Sequence, residues 1–159
     1  MPKGTIYSAT ISETKNKKVS YNNVSVFSEN LKKIRSHIVI APPKNRTRFE
    51  WFLEKSTEIG VDLISPIICD NSERKTINYL RCEKILISAM KQSQNSVLPK
   101  LKQPIEFKKI IQKFSTNAYI AHCQDEPKKS FKETLSKIKT PKEITLFIGP
   151  EGDFSKKEL

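Results

Sequence analysis

Glycine is scarce in this sequence. The 159 residues include four glycines, and two of them fall within one short loop, at Gly149 and Gly152. Neither GxxxxGKS/T nor GxGxxG occurs, which excludes the usual P-loop and Rossmann modes of phosphate binding. GxSxG is also absent, which excludes the nucleophile elbow of the α/β-hydrolases. The loop that holds Gly149 and Gly152 therefore belongs to none of these three motifs.

Cysteines and long apolar runs are also few. Cys69, Cys82 and Cys123 are widely spaced, form no CxxC pair and have no histidine at metal-ligand spacing. We expect reduced, mostly buried thiols in a cytoplasmic protein without a metal. No apolar run approaches the roughly 18 residues of a membrane span, and the N-terminus has no apolar signal stretch. The sequence thus indicates neither secretion nor a membrane partner.

Acidic residues are outnumbered by basic ones. Lys and Arg total 29 against 17 Asp and Glu, which gives a net charge of +12. Such an excess favours a polyanionic partner such as nucleic acid. A solvated lysine-rich surface has the same composition, so charge alone leaves both interpretations open.

The periodicity of apolar residues predicts two regions. Residues 1–30 alternate as in strands, with a polar hairpin turn at 14–18. Beyond them, short apolar strands alternate with helices. We expect strands at 38–41, 63–69, 118–123 and 144–148, and helices at 48–59, 79–94, 107–114 and from 131. This order predicts an α/β fold, a parallel sheet covered on both faces, in which Pro66 must lie near an edge or a bulge.

The glycine loop at 149–152 follows the last predicted strand. Ser155 with Glu158 three residues later predicts a capping box, in which the Ser155 hydroxyl accepts a helical N–H and the Glu158 carboxylate binds the N–H of Ser155. A strand, a glycine loop and a helix N-terminus together form a common cradle for a small ligand.

The helix predicted at 48–59 carries two stripes. The apolar stripe, which must face the sheet, consists of Phe49, Phe52, Leu53 and Ile59. The second stripe consists of Arg48, Trp51, Lys55 and Glu58. A tryptophan among charges is a dimer contact, an RNA-stacking platform, a pocket wall or a half-covered surface residue.

Other polar residues are candidates for a site. Arg46, beside Lys44 and Arg48, follows a predicted strand, where a guanidinium can hold phosphate or stabilise a developing negative charge. A solvated basic loop explains the same residues equally well. Gln92 lies in a polar patch at a helix end, and His122 ends a predicted strand on the side of the glycine loop. A lone histidine is more often structural than a base.

Three motifs in this order resemble the bacterial RsmE family. They are residues 48–61, the triplet 91–93, and the segment 148–152 followed by Phe154 and Ser155. The resemblance covers residues 38–159 and implies a SPOUT-type methyltransferase domain, whose C-terminal segment forms a trefoil knot. It also implies S-adenosylmethionine as methyl donor, N3 of a uridine in 16S ribosomal RNA of the small subunit as acceptor, and a homodimer.

The resemblance also implies a domain division and roles for residues. Residues 1–34 resemble part of a PUA-like β-barrel, and 35–159 the methyltransferase domain. Arg46 and Arg48 become catalytic candidates. The cofactor pocket would be lined by His122, Gly149, Pro150, Glu151 and Gly152. RNA or dimer contacts would come from Lys44, Trp51, Lys55, Glu58 and Gln92.

The sequence departs from the family pattern in places. Asp153 stands where a second glycine is common, and Gln94-Asn95 replaces a glycine-arginine pair. The family's knot-forming final segment and the first half of its barrel have no counterpart here. We therefore expect this chain to lack one wall of the donor pocket and to bind the donor weakly or not at all. The alternatives are a basic RNA-binding module without catalysis, and a SPOUT methyltransferase acting on transfer RNA.

Overall fold

The computed structural model describes residues 4–30, 34–114, 117–125, 129–138 and 141–159. Two sheets organise these residues, an antiparallel hairpin followed by a six-stranded sheet with helices. Among them, no helix has both the length and the apolar character needed to cross a membrane. The predicted mixed α/β fold is confirmed.

The hairpin consists of β1 (Gly4–Lys15) and β2 (Lys18–Asn30). Asn16 and Lys17 join the strands with φ angles of 50° and 60°, the left-handed conformation that suits the right-handed twist of a hairpin. The predicted turn is thus confirmed. Large apolar side chains are exposed along the hairpin, namely Tyr7, Ile11, Val19, Tyr21, Val24, Val26 and Phe27. Because an isolated two-stranded hairpin is marginally stable in water, we expect another apolar surface to pack against these side chains.

The second sheet is parallel throughout its described pairs. Its strands are β3 (Arg35–Ile40), β4 (Leu63–Ile68), β5 (Lys100–Leu101), β6 (Ile105–Glu106), β7 (Ala118–Ala121) and β8 (Glu143–Ile148). The order is β5-β4-β3-β8-β7, with β6 also paired to β4. Because the strands are parallel, the carboxyl ends of β3, β4, β7 and β8 lie at one edge, where such sheets place their sites.

The four described helices are α1 (Arg46–Glu58), α2 (Tyr79–Gln92), α3 (Phe107–Ile111) and α4 (Phe131–Ser136). The side chain of Asn45 caps α1 by accepting the N–H groups of Thr47 and Arg48, so this helix begins two residues before its predicted start. Asn78 caps α2 in the same way. The hydroxyl of Ser130 accepts the N–H of Glu133 and caps α4, which begins at Phe131 as predicted.

Both faces of the parallel sheet are buried. One core contains Val39, Ile67, Phe107, Phe147 and Phe154, and the other contains Ile40, Phe49, Leu53, Ile64 and Leu86. Val39 and Ile40 are consecutive in β3 and enter opposite cores, as the alternation of a strand requires. The double-sided cover predicted from the sequence is therefore confirmed.

The cysteines are free thiols. Cys69 and Cys82 are buried and Cys123 is exposed, as expected for reduced and mostly buried cysteines. Burial raises the pKa of the Cys69 thiol to about 12, which keeps it protonated and unreactive.

One local prediction was wrong, and one was confirmed. Ile59 is 79% exposed, because α1 ends at Glu58 and the following residue no longer faces the sheet. Pro66 lies in β4, which is flanked on both sides, but it lies at a bulge as predicted, because residues 65–66 face the three residues 102–104 between β5 and β6. Its missing N–H is tolerated because β5 pairs with residues 63–64 and β6 with residues 67–68, so the pairing on that side skips Pro66.

The end of α2 explains one departure from the family pattern. Gln94 has a φ of 52°, a left-handed conformation that favours glycine. Its N–H bonds to the carbonyl of Lys91, and the N–H of Asn95 bonds to that of Met90 at 3.0 Å, which together form a Schellman cap. The Schellman cap therefore forms without its usual glycine, and the left-handed conformation of Gln94 strains the backbone.

Gln94→Gly should stabilise the protein. Relief of left-handed strain exceeds the entropy that a glycine adds to the unfolded chain, which leaves a gain of about 0.5–1 kcal/mol in the free energy of unfolding. Urea denaturation measures the change. Gln92→Gly, within the last turn of α2, is the matched control and should be destabilising. A loss of stability in Gln94→Gly would contradict the account.

Candidate active site

The glycine loop at 149–152 lies at the carboxyl edge of the sheet, directly after β8. A Cβ added to Gly149 would lie 2.9 Å from Cε2 of Phe154, whose side chain is only 1% exposed. A Cβ added to Gly152 would meet Asn71 at 3.4 Å, an ordinary contact. Gly149 is therefore required for close packing of the loop on Phe154, while a side chain as small as that of alanine is tolerated at position 152.

The end of β4 is bonded to this loop. Nδ2 of Asn71 donates to the carbonyls of Gly152 and Asp153 at 3.1 and 3.0 Å. The N–H of Asp70 donates to Oε1 of Glu158 at 2.9 Å. These contacts join residues more than eighty positions apart and fix the turn after β4 against the glycine loop.

The expected capping box forms only in part. Oε2 of Glu158 accepts the N–H of Ser155 at 2.9 Å, as predicted. The Ser155 hydroxyl, however, donates to Oδ2 of Asp70 at 2.7 Å instead of accepting a helical N–H, and residues 156–158 form a turn. This hydrogen bond lowers the pKa of Asp70. The predicted local cap is thus replaced by a contact to the neighbouring strand end.

Asp153 connects the loop to the end of β7. Its φ is 60°, which aspartate tolerates better than most residues, so it can replace the family's glycine. Its Oδ2 accepts the N–H of Cys123 at 2.8 Å, and this bond lowers the pKa of Asp153. His122 directly follows β7, as predicted, and its Nδ1 is buried without a hydrogen-bond partner among the described residues.

Glu151 connects the loop to the end of β3. Its carboxylate oxygens accept the N–H of Lys44 at 3.2 and 3.3 Å. From the other side, the guanidinium of Arg74 donates to the carbonyls of Pro43 (3.0 Å) and Lys44. We call residues 42–45 the basic loop, because they carry Lys44 and lead into Arg46 and Arg48.

Arginines surround a small groove between the first turns of α1 and α2. Glu50 accepts two hydrogen bonds from Arg81, at 2.6 and 2.8 Å, and lies 3.3 Å from Nε of Arg46. The bonds from Arg81 lower the pKa of Glu50. Arg46 is 60% exposed, and Arg48 is also exposed. The carboxylate of Glu50 thus fixes the positions of the Arg46 and Arg81 guanidinium groups. Its single negative charge leaves the three side chains with a net positive charge.

The structure gathers some predicted site residues and separates others. The glycine loop, His122 and Lys44 lie at the carboxyl edge, and Arg46 begins α1 two residues after Lys44. Trp51 is 62% exposed on α1, and Lys55 forms salt bridges with Glu54 and Glu58 further along that helix. At 1.5 Å per residue, Lys55 lies about 14 Å along the axis from Arg46. Gln92 is exposed at the last residue of α2, far from its capped start.

Sequence reasoning missed the segment 70–74. Asp70 and Asn71 bind the glycine loop, and Glu73 and Arg74 bind the basic loop. The available signal was its position, a polar run directly after a buried strand at the same edge as the glycine loop. In the described parts of the chain, no cluster of three or more His, Cys, Asp or Glu side chains has the geometry of a metal site.

Comparison with known proteins identifies the class and then the family. A family model described as an RNA methyltransferase domain matches residues 30–159, most of the chain. The chain is 28% identical over 136 residues to Ribosomal RNA small subunit methyltransferase E of Mesomycoplasma hyopneumoniae. The chain therefore belongs to the RNA methyltransferase domain family, and within it to the RsmE family. The match covers 79% of this chain and 56% of that relative, so the chain spans little more than half of its length.

Solved structures show the same fold. A probable rRNA-methyltransferase from Porphyromonas gingivalis is 34% identical with a TM-score of 0.77, over 98% of this chain and 66% of that one. Ribosomal RNA small subunit methyltransferase E from Neisseria gonorrhoeae, bound to S-adenosyl methionine, has a TM-score of 0.69 at 20% identity, over 98% and 65%. The second likeness shows the shared fold alone.

Gly149→Ala should destabilise the protein, whereas Gly152→Ala should not. The new methyl group at 149 overlaps a buried ring that has no room to move, which costs about 1–3 kcal/mol, as for other overpacked sites. The group at 152 makes an ordinary contact and should change stability by less than about 0.5 kcal/mol. Urea unfolding of both variants measures the difference, and equal stabilities would contradict this assignment.

Proposed function

We propose that this protein transfers a methyl group from S-adenosylmethionine to N3 of a uridine in 16S ribosomal RNA of the small subunit. One observation carries the proposal. The glycine loop, where a cofactor would bind, is bonded through Glu151 to the basic loop that leads to Arg46 and Arg48. A cofactor site and a site for a polyanion thus adjoin at one edge of the sheet.

The family relationship supports the same reaction. Proteins named Ribosomal RNA small subunit methyltransferase E are among the relatives, and the Neisseria gonorrhoeae structure is described as bound to S-adenosyl methionine. The net charge of +12 agrees with an RNA partner.

The residues at the edge fit the proposed cofactor. The buried Nδ1 of His122 has a hydrogen-bonding capacity that the described residues leave unsatisfied. We propose that His122, Gly149, Pro150, Glu151 and Gly152 hold S-adenosylmethionine, with Gly149 acting through its contact with Phe154. The cofactor supplies an electrophilic methyl group on a sulfonium.

Arg46 and Arg48 are proposed to act on the uracil. Methylation at N3 requires loss of the N3 proton, which places negative charge on the ring and its two carbonyl oxygens. A guanidinium stabilises this charge and can also orient the ring through parallel hydrogen bonds. Glu50 holds one side of Arg46, so its side chain is ordered before RNA binds.

The proposal extends to architecture and partners. We propose a SPOUT-type domain at 35–159, preceded by part of a PUA-like barrel at 1–34, in which the exposed apolar side chains of the hairpin would face the interior of the barrel. A homodimer in the cytoplasm is proposed as the working form. The residues that we propose for RNA or dimer contacts are Lys44, Trp51, Lys55, Glu58 and Gln92.

Deletion of the gene that encodes this sequence tests the reaction. Ribosomal RNA from the deleted strain should lose one N3-methyluridine, and small subunits from that strain should accept label from S-adenosylmethionine when incubated with the purified gene product. Mass spectrometry of RNA digests measures both. An unchanged modification map, or label only in transfer RNA, would reject the proposed substrate. Clear binding of S-adenosylmethionine by the 159-residue chain in calorimetry would reject a purely RNA-binding module.

A further inference from the structure

Lys44 is held at each of its three polar groups. Its N–H donates to Glu151, its carbonyl accepts from Arg74, and its ammonium lies 2.8 Å from Oε2 of Glu73. The two salt-bridge side chains are largely exposed, so that pair contributes little free energy by itself. The backbone contacts matter more, because they fix the path of the chain rather than the end of a flexible side chain.

These contacts close a ring of three loops. Glu151 joins the glycine loop to the basic loop, and Arg74 joins the basic loop to the segment 70–74. Asn71, in that segment, joins it to the glycine loop by donating hydrogen bonds to the carbonyls of Gly152 and Asp153. Each loop is therefore fixed by the other two, and no loop can shift alone without breaking hydrogen bonds.

The basic loop determines where α1 begins. It ends at Asn45, whose side chain caps the helix, and Arg46 is the first helical residue. The backbone at Pro43 and Lys44 therefore sets the position of Arg46 relative to the glycine loop. In transition-state stabilisation, a displacement of about 1 Å can lower the rate a hundredfold.

We propose that Glu151 and Arg74 are positioning residues for methyl transfer, which hold the backbone of the basic loop and thereby fix where Arg46 begins α1 at the edge that carries the glycine loop. The inference rests on the proposed function and deepens it. Glu151 then acts through its carboxylate on Lys44, in addition to its place in the glycine loop. Arg74 acts through its guanidinium on two successive carbonyls, and contact between Arg74 and RNA phosphate is not required.

The chemistry of the two contacts predicts which conservative variants retain function. Glu151→Gln keeps one oxygen that can accept the N–H of Lys44. Arg74→Lys keeps the charge, but a single ammonium cannot reproduce the planar fork that reaches both carbonyls. A direct contact with phosphate would show the opposite pattern, because a lysine also binds phosphate.

Amide hydrogen exchange tests the positioning without reference to activity. In Glu151→Ala, Arg74→Ala and Arg74→Lys, exchange at Lys44 should accelerate at least about tenfold, because the loop opens locally. Glu151→Gln should stay within about threefold of the unmodified protein. Lys75→Ala removes a neighbouring exposed charge and is the matched control, with no expected change. Unchanged exchange in Arg74→Ala or Glu151→Ala would overturn the inference.

Methyl transfer by the purified full-length gene product gives the second readout. Arg74→Ala and Arg74→Lys should lower kcat about tenfold to a hundredfold, while the salt dependence of RNA binding stays unchanged. The inference is wrong if Arg74→Lys retains the original kcat and Arg74→Ala weakens the salt dependence of RNA binding. In that case Arg74 contacts RNA directly, and the slope of log K against log salt concentration falls in magnitude by about 0.7–0.9. Absence of methyl transfer in the unmodified protein would refute the proposed function, and the exchange at Lys44 would still decide the positioning.

Discussion

The contact between Gly149 and the ring of Phe154 is the constraint on which the site depends. It lets the chain turn back after β8 and bury Phe154 between Phe107 and the sheet. Once that ring is buried, Asp153 and Ser155 on either side of it are placed beside the ends of β7 and β4. Packing therefore positions the polar groups, and the hydrogen bonds then specify one arrangement of the loops.

Charge at the site is ordered rather than merely abundant. The excess of basic residues alone would give a diffuse attraction for RNA, which salt screens. Here Glu50 orders Arg46 and Arg81, and Glu73 binds Lys44. Each of these carboxylates reduces the local positive charge, but it also holds the basic side chain that it binds in one position. When negative charge develops on one base in the transition state, a cation at a defined position lowers the barrier more than a high total charge does.

Local signals in the sequence were sufficient for much of the fold. The periodicity of apolar residues predicted α2, and the apolar run before Gly149 predicted β8. The donors and acceptors at the site were not predictable in this way. Whether Ser155 accepts from its own helix or donates to Asp70 depends on a strand 85 residues away. The role of Arg74 depends likewise on carbonyls that no local pattern identifies.

The loops at the carboxyl edge form one cooperative unit around the glycine loop. Native-state hydrogen exchange measures it at the amides of Lys44, Asp70, Cys123 and Ser155, which all donate to side chains within this unit. If the loops open as one unit, the four amides share one opening free energy and the same dependence on denaturant. If Lys44 or Cys123 opens independently at much lower free energy, the loops are separate and the claim is wrong.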